Sequence, residues 1–147
     1  MMLLSCQNQQ KKIVYYEYNG VVITRINDFP KDRFYYGKFD PEVDKLPESY
    51  IESKFSGFDG GMGAYLIFKP NKHVEIIREW GNFSPVRLKE NLILIDTMEN
   101  IKFIHWRDSA KGNLKNIAYV SHVLDLERKT NSNEKSQVTR RIKNNSN

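Results

Sequence analysis

With 147 residues, 39% of them hydrophobic and 12% aromatic, the chain can bury one packed core but not two, and a single domain is expected. The formal charge of +5 is concentrated at one end, because Arg128, Lys129, Lys135, Arg140, Arg141 and Lys143 outnumber Glu127 and Glu134 by four in residues 127–147. A basic, Asn- and Ser-rich end without apolar periodicity reads as a solvated tail, so no nucleic-acid partner is expected, and one lone cysteine excludes an intramolecular disulfide.

The chain opens Met-Met-Leu-Leu-Ser-Cys and continues with polar Gln7 to Gln10 and Lys11. Leu3-Leu4-Ser5-Cys6 resembles the lipobox of bacterial lipoproteins, which implies that Cys6 is the lipidated first residue of a mature protein anchored to the membrane of the cell envelope, on its periplasmic side. The residues before Cys6 are too few for the charged segment and the apolar run of about 7 to 15 residues that an export signal needs. Residues 1–11 are therefore read as a truncated signal and linker; with a true start at Met1 and an unmodified Cys6, the expected address is the cytoplasm.

Residues 12–26 hold the clearest local pattern, Ile-Val-Tyr-Tyr-Glu-Tyr and Val-Val-Ile-Thr-Arg-Ile about Asn19-Gly20. Asn-Gly supplies the two positive φ angles of a type I′ turn, and a two-residue loop pairs Tyr18 with Val21, Tyr16 with Ile23 and Val14 with Arg25. Val14, Tyr16, Tyr18, Val21 and Ile23 then share the face expected to meet the core, opposite a mixed face of Ile13, Tyr15, Glu17, Val22, Thr24 and Ile26. Residues 34–39 read as a short strand weakened by Gly37, and 40–47 as a loop or one helical turn capped by Asp40 and stopped by Pro47. Residues 50–58 alternate as a strand leading into Gly57, Gly60, Gly61 and Gly63.

Residues 63–83 are the organising stretch: two alternating strands about Lys69-Pro70-Asn71-Lys72, with Leu66 and Phe68 opposite Tyr65 and Ile67, and Val74, Ile76 and Trp80 opposite Glu75 and Glu79. That spacing predicts Trp80 as a core anchor on the face of Val74 and Ile76. After Gly81-Asn82, Phe83, Ser84 and Pro85 begin a connection. Residues 92–95 and 101–106 are expected to form a third hairpin, residues 117–126 a last strand, and residues 131–147 a disordered basic tail, leaving 12–130 as the domain.

Successive hairpins predict an all-β fold, an antiparallel meander closing as a small barrel or sandwich. The Ala-Tyr-Leu-Ile-Phe strand, the Trp80-Gly81-Asn82-Phe83 break and the closing Leu124-Asp125-Leu126 resemble small lipocalin-like bacterial lipoproteins over residues 63–127. The early Gly-x-Trp of true lipocalins is missing.

Chemistry-bearing sets are incomplete. Residues 56–63, Ser-Gly-Phe-Asp-Gly-Gly-Met-Gly, precede a strand rather than a helix and lack Gly-Lys-Ser/Thr, so they read as a connector, not a phosphate cradle. His73-x-Glu75 lies on a solvated strand face with no second pair to complete a zinc site, and His105 is expected at the core edge with Ile101 and Phe103. Asp59, Glu75, Glu79, Asp96 and Asp108 have no reason to meet in an apolar pocket, and Ser56, Ser109 and Ser121 lack a nucleophile elbow. Arg78, beside Ile76 and Trp80, is expected in an ion pair or stacked on the indole. No catalytic residue, metal or cofactor is expected. The predicted function is a cell-envelope lipoprotein that binds a small apolar ligand or a protein partner; the alternative is an immunity-type interaction module without catalytic activity.

Overall fold

The computed structural model describes residues 11–55, 61–87, 91–95, 105, 114–122 and 138–144, and among them the alternating stretches become ten strands. One sheet has the order β10-β1-β2-β3-β4-β7, built from β1 (Lys12–Tyr18), β2 (Val21–Asp28), β3 (Lys31–Tyr36), β4 (Tyr50–Lys54), β7 (Phe83–Val86) and β10 (Thr139–Asn144). The other has the order β8-β6-β5-β9, from β5 (Gly63–Phe68), β6 (Val74–Trp80), β8 (Leu92–Ile95) and β9 (Ile117–Ser121). The all-β expectation holds, and of its two architectures the sandwich is observed: among the described residues no strand pairing joins the two sheets into a closed barrel.

Asn19 and Gly20 adopt φ of 48° and 77°, and the β1–β2 register pairs Tyr18 with Val21, Tyr16 with Ile23 and Val14 with Arg25, as the two-residue turn dictates. The face carrying Val14, Tyr16, Val21 and Ile23 packs with Phe34 and Ile51 against Ala64, Leu66, Phe68, Val74, Ile76, Ala118 and Val120 of the other sheet. The opposite face of the six-stranded sheet is buried too, at Ile13, Thr24, Ile26 and Tyr35. Part of its cover is the β3–β4 connection. The Thr24 hydroxyl donates to the Gly37 carbonyl and accepts from the Phe39 amide, the Tyr15 hydroxyl donates to the Phe39 carbonyl, and Phe39 meets Tyr35 edge to face. Asp40 caps the single turn that follows, its carbonyl accepting from the amides of Val43 and Asp44.

Four expectations are corrected. Residues 139–144 of the presumed tail form β10, antiparallel to β1, with Val138 and Ile142 packed on the core. Ile142 falls opposite Val14 on the inward face, so two apolar residues suffice once the neighbouring strand supplies the backbone partners. The third hairpin is not seen among the described residues: β8 lies parallel to β6, after the chain crosses to the first sheet as β7 and returns, and position 105 within 101–106 is helical. β7 is an edge strand, which accommodates Pro85. His105, the one described residue of 101–106, is helical and exposed rather than at the core edge.

The fourth correction concerns Trp80. The β5–β6 register pairs Ala64 with Arg78 but Gly63 with Trp80, so Glu79 is an extra residue and the register shifts there. Such a bulge reverses the alternation beyond it. Trp80 thus leaves the face of Val74 and Ile76 and lies half-buried over Gly63, its indole N–H donating to the Tyr119 hydroxyl at 3.4 Å.

Candidate ligand-binding cleft

Cys6, the predicted lipidation site, lies outside the described residues, as do Asp59, Asp96, Asp108, Ser56 and Ser109. His73 hydrogen-bonds within its turn, its amide donating to Asn71 Oδ1, while Glu75 pairs with Lys69 at 3.4 Å. Among the described residues no three His, Cys, Asp or Glu side chains gather as a metal site. Arg78 donates to the Gly81 carbonyl at 3.2 Å.

The polar centre that the sequence reading passed over is Arg25. It continues the inward parity of Val21 and Ile23, and its side chain is fully buried between the sheets. Its Nε–H donates to Asp32 Oδ1 at 2.7 Å, Nη2–H to the Ser121 carbonyl at 2.7 Å, and Nη1–H to the Tyr16 hydroxyl at 3.4 Å, with the Phe34 ring 5.6 Å from the guanidinium carbon. Asn27 holds the same Asp32 oxygen at 2.9 Å. These bonds tie β2 of one sheet to β9 of the other, so the arginine is a structural brace; no open path for a ligand is needed to account for it.

Beyond this brace, at the end of the sandwich where β6 and β9 finish, aromatic rings follow one another. Phe29 and Phe55 lie 5.3 Å apart, Phe55 and His122 6.0 Å, and His122 and Trp80 5.5 Å edge to face. Gly61, at φ 101°, leaves room for the imidazole: a Cβ there would lie 2.1 Å from the ring. Among the described residues His122 Nδ1 is buried without a hydrogen-bond partner. The rings at this end thus run from an exposed Phe29 to a half-buried Trp80.

Among the described residues the opposite end is open. There the Asn19-Gly20 tip of β1–β2 and the Pro70–Lys72 tip of β5–β6 stand apart, and between them lies a cleft of about 290 Å³ lined by Tyr18, Asn19, Val21, Phe68, Lys69, Pro70, Lys72 and Asn116. Its floor is apolar, with Phe68 and Val21 buried and the Tyr18 ring tilted on Phe68 at 6.0 Å. The floor is fixed from both sides: Asn116 Nδ2–H donates to the Phe68 carbonyl at 2.9 Å, and the Tyr36 hydroxyl donates to the Lys72 carbonyl at 2.5 Å. The turn closes through the Lys69 amide on the His73 carbonyl and the Lys72 amide on the Lys69 carbonyl. A few polar groups around a concave apolar floor, with the walls hydrogen-bonded in place, is the arrangement of a small-molecule site near the lower end of the usual size range, about 300 Å³. Neither hairpin alone signals it, since the cleft exists only where the two tips face each other. Comparison of the chain with protein-family models, with curated proteins and with solved structures found no match.

Proposed function

We propose that the chain is a non-catalytic binding protein of the cell envelope, carried on a lipid at Cys6, that takes a small apolar ligand at the cleft between its two hairpin tips. The observation that carries the ligand reading is the cleft itself: about 290 Å³ over a floor of Phe68, Val21 and Tyr18. The small-ligand role is the one the lipocalin-like resemblance implies, but the ligand's place moves from a barrel interior to the end of a sandwich whose inner faces are filled by Tyr16, Phe34, Leu66 and Ile76. The address rests on Leu3-Leu4-Ser5-Cys6 followed by a polar linker, with the first strand beginning at Lys12.

Two measurements test the two halves. Titration of the isotope-labelled protein with the neutral probe 2-naphthylmethanol should shift the amides of Asn19, Val21, Phe68 and Lys69 together, along one saturating curve. Shifts scattered over both sheets, or none, overturn the cleft as the site. Mass spectrometry of the protein expressed from its own locus should find Cys6 as a lipid-modified N-terminus; an unmodified Met1 on a cytosolic protein overturns the address.

A further inference from the structure

Resting on that reading of the cleft, we infer that its ligand is an amphipathic anion: an apolar ring or short chain ending in a carboxylate or another singly charged acid group. Among the described residues the lining holds two ammonium groups, Lys69 and Lys72, and two carboxamides, Asn19 and Asn116, and no carboxylate. Lys115, exposed beside Asn116, adds a third cation at the same end. Lys69 already has Glu75 as a partner at 3.4 Å, whereas Lys72 makes no ion pair with any described residue.

The position of Lys72 is set by the backbone. It adopts φ 63°, a conformation that glycine or asparagine occupies with less cost, and it does so with its amide bonded to Lys69 and its carbonyl held by Tyr36. The stem of this lysine therefore leaves the turn from a fixed point on the cleft's rim. Below it the floor is Phe68 and Val21. An acid group at the rim would meet ammonium and amide donors, while the body of the same molecule would cover the apolar floor; a neutral molecule of that shape would gain only the second contact, and a cation would be repelled.

Three probes of one shape separate the contributions: 2-naphthoate, 2-naphthylmethanol and 2-naphthylmethylammonium, each titrated into the full chain while the amides of Asn19, Lys69 and Phe68 are followed. The expected order is naphthoate, then the alcohol, then the ammonium, with naphthoate about five- to tenfold tighter than the alcohol and its advantage shrinking as salt rises from about 20 to 500 mM. In Lys72→Gln the advantage of naphthoate should fall at least about threefold while the affinity for the alcohol stays put, and the circular dichroism melt of the variant shows whether it is folded. Equal affinity for naphthoate and the alcohol overturns the anion inference and leaves the apolar cleft standing. An unchanged preference in both Lys72→Gln and Lys69→Gln overturns the assignment of the lysines. Failure of all three probes to move the cleft amides overturns the site itself, and this inference with it.

Discussion

Replacing Asp32 by alanine should destabilise the fold more than any other single change of a polar side chain described here. Arg25 is fully buried, and the Asp32 side chain is 10% exposed, at the edge of the same core. Alanine at position 32 removes the carboxylate that receives Nε–H at 2.7 Å, while the bonds to the Ser121 carbonyl and the Tyr16 hydroxyl stay. Breaking a buried pair in this way costs about 3–5 kcal/mol, because the remaining charge keeps its desolvation penalty. Against a total stability of about 5–15 kcal/mol that is about a fifth or more, and for a domain of this size it lowers the melting midpoint by about 10–20 °C. Arg25→Met should cost less, since methionine fills much of the same space and Asp32 keeps Asn27 and a route to water. Urea unfolding followed by circular dichroism gives both numbers, and the double variant Arg25→Met with Asp32→Leu should lie closer to the parent than Asp32→Ala alone. A loss below about 1 kcal/mol in Asp32→Ala, or a larger loss in Arg25→Met than in Asp32→Ala, refutes the account of Arg25 as a charged brace held by this carboxylate.

Deleting residues 138–147 uncovers the open edge of β1 and removes Val138 and Ile142 from the core, so the thermal midpoint should drop by several degrees; an unmoved midpoint would show that β10 contributes nothing to stability. His122→Phe replaces a ring with a buried, unpaired nitrogen by one without it, between Phe55 and Trp80, and should stabilise by about 1 kcal/mol in denaturant unfolding; a comparable loss would mean that Nδ1 is bonded in solution. The hydrogen bond from Lys143 holds the Asp40 carboxyl below its ordinary 3.8, so the tie between β10 and the β3–β4 connection is in place above that value and is lost as pH falls through the lowered one. Carbon-detected titration of the Asp40 carboxyl should show this, and in Lys143→Met its midpoint should move up; identical titration curves in the two proteins would rule the tie out.

How far the sequence discloses this fold depends on whether the cause of each feature is local. Asn19-Gly20 fixes a turn type, the turn fixes a register, and the register fixes which of Val14, Tyr16, Val21 and Ile23 point inward, all within fifteen residues. β10 has no such local cause: Thr-Arg-Arg-Ile-Lys-Asn becomes a strand because β1 offers it an unpaired edge, and its charged side chains suit an edge position. β8 pairs in parallel with β6, and parallel pairing has no turn to announce it. Alternation carried through Glu79 puts Trp80 on the wrong face, because the register shifts there. Arg25 was legible in principle, since it extends the parity of Val21 and Ile23, but a charge at that spacing is more often assumed to turn away from a core than to be met inside it. The cleft was out of reach for a further reason: its lining comes from two hairpins and a distant asparagine, Asn116, and only their assembly encloses a volume.

The pairing of β1 with β10 also sets an order of events during synthesis. Lys12 faces Asn144 and Glu17 faces Thr139, so this edge of β1 is matched by residues that lie 122 to 132 positions later in the chain. Every other neighbour of β1 and β2 is available much earlier, and contacts of such long sequence separation form late because the loop they close is large. Until residues 139–144 are made the β1 edge lacks this partner, and an interruption before them releases a chain whose β1 carries a free edge. Losing β10 would convert this sandwich into one that recruits strands from its neighbours.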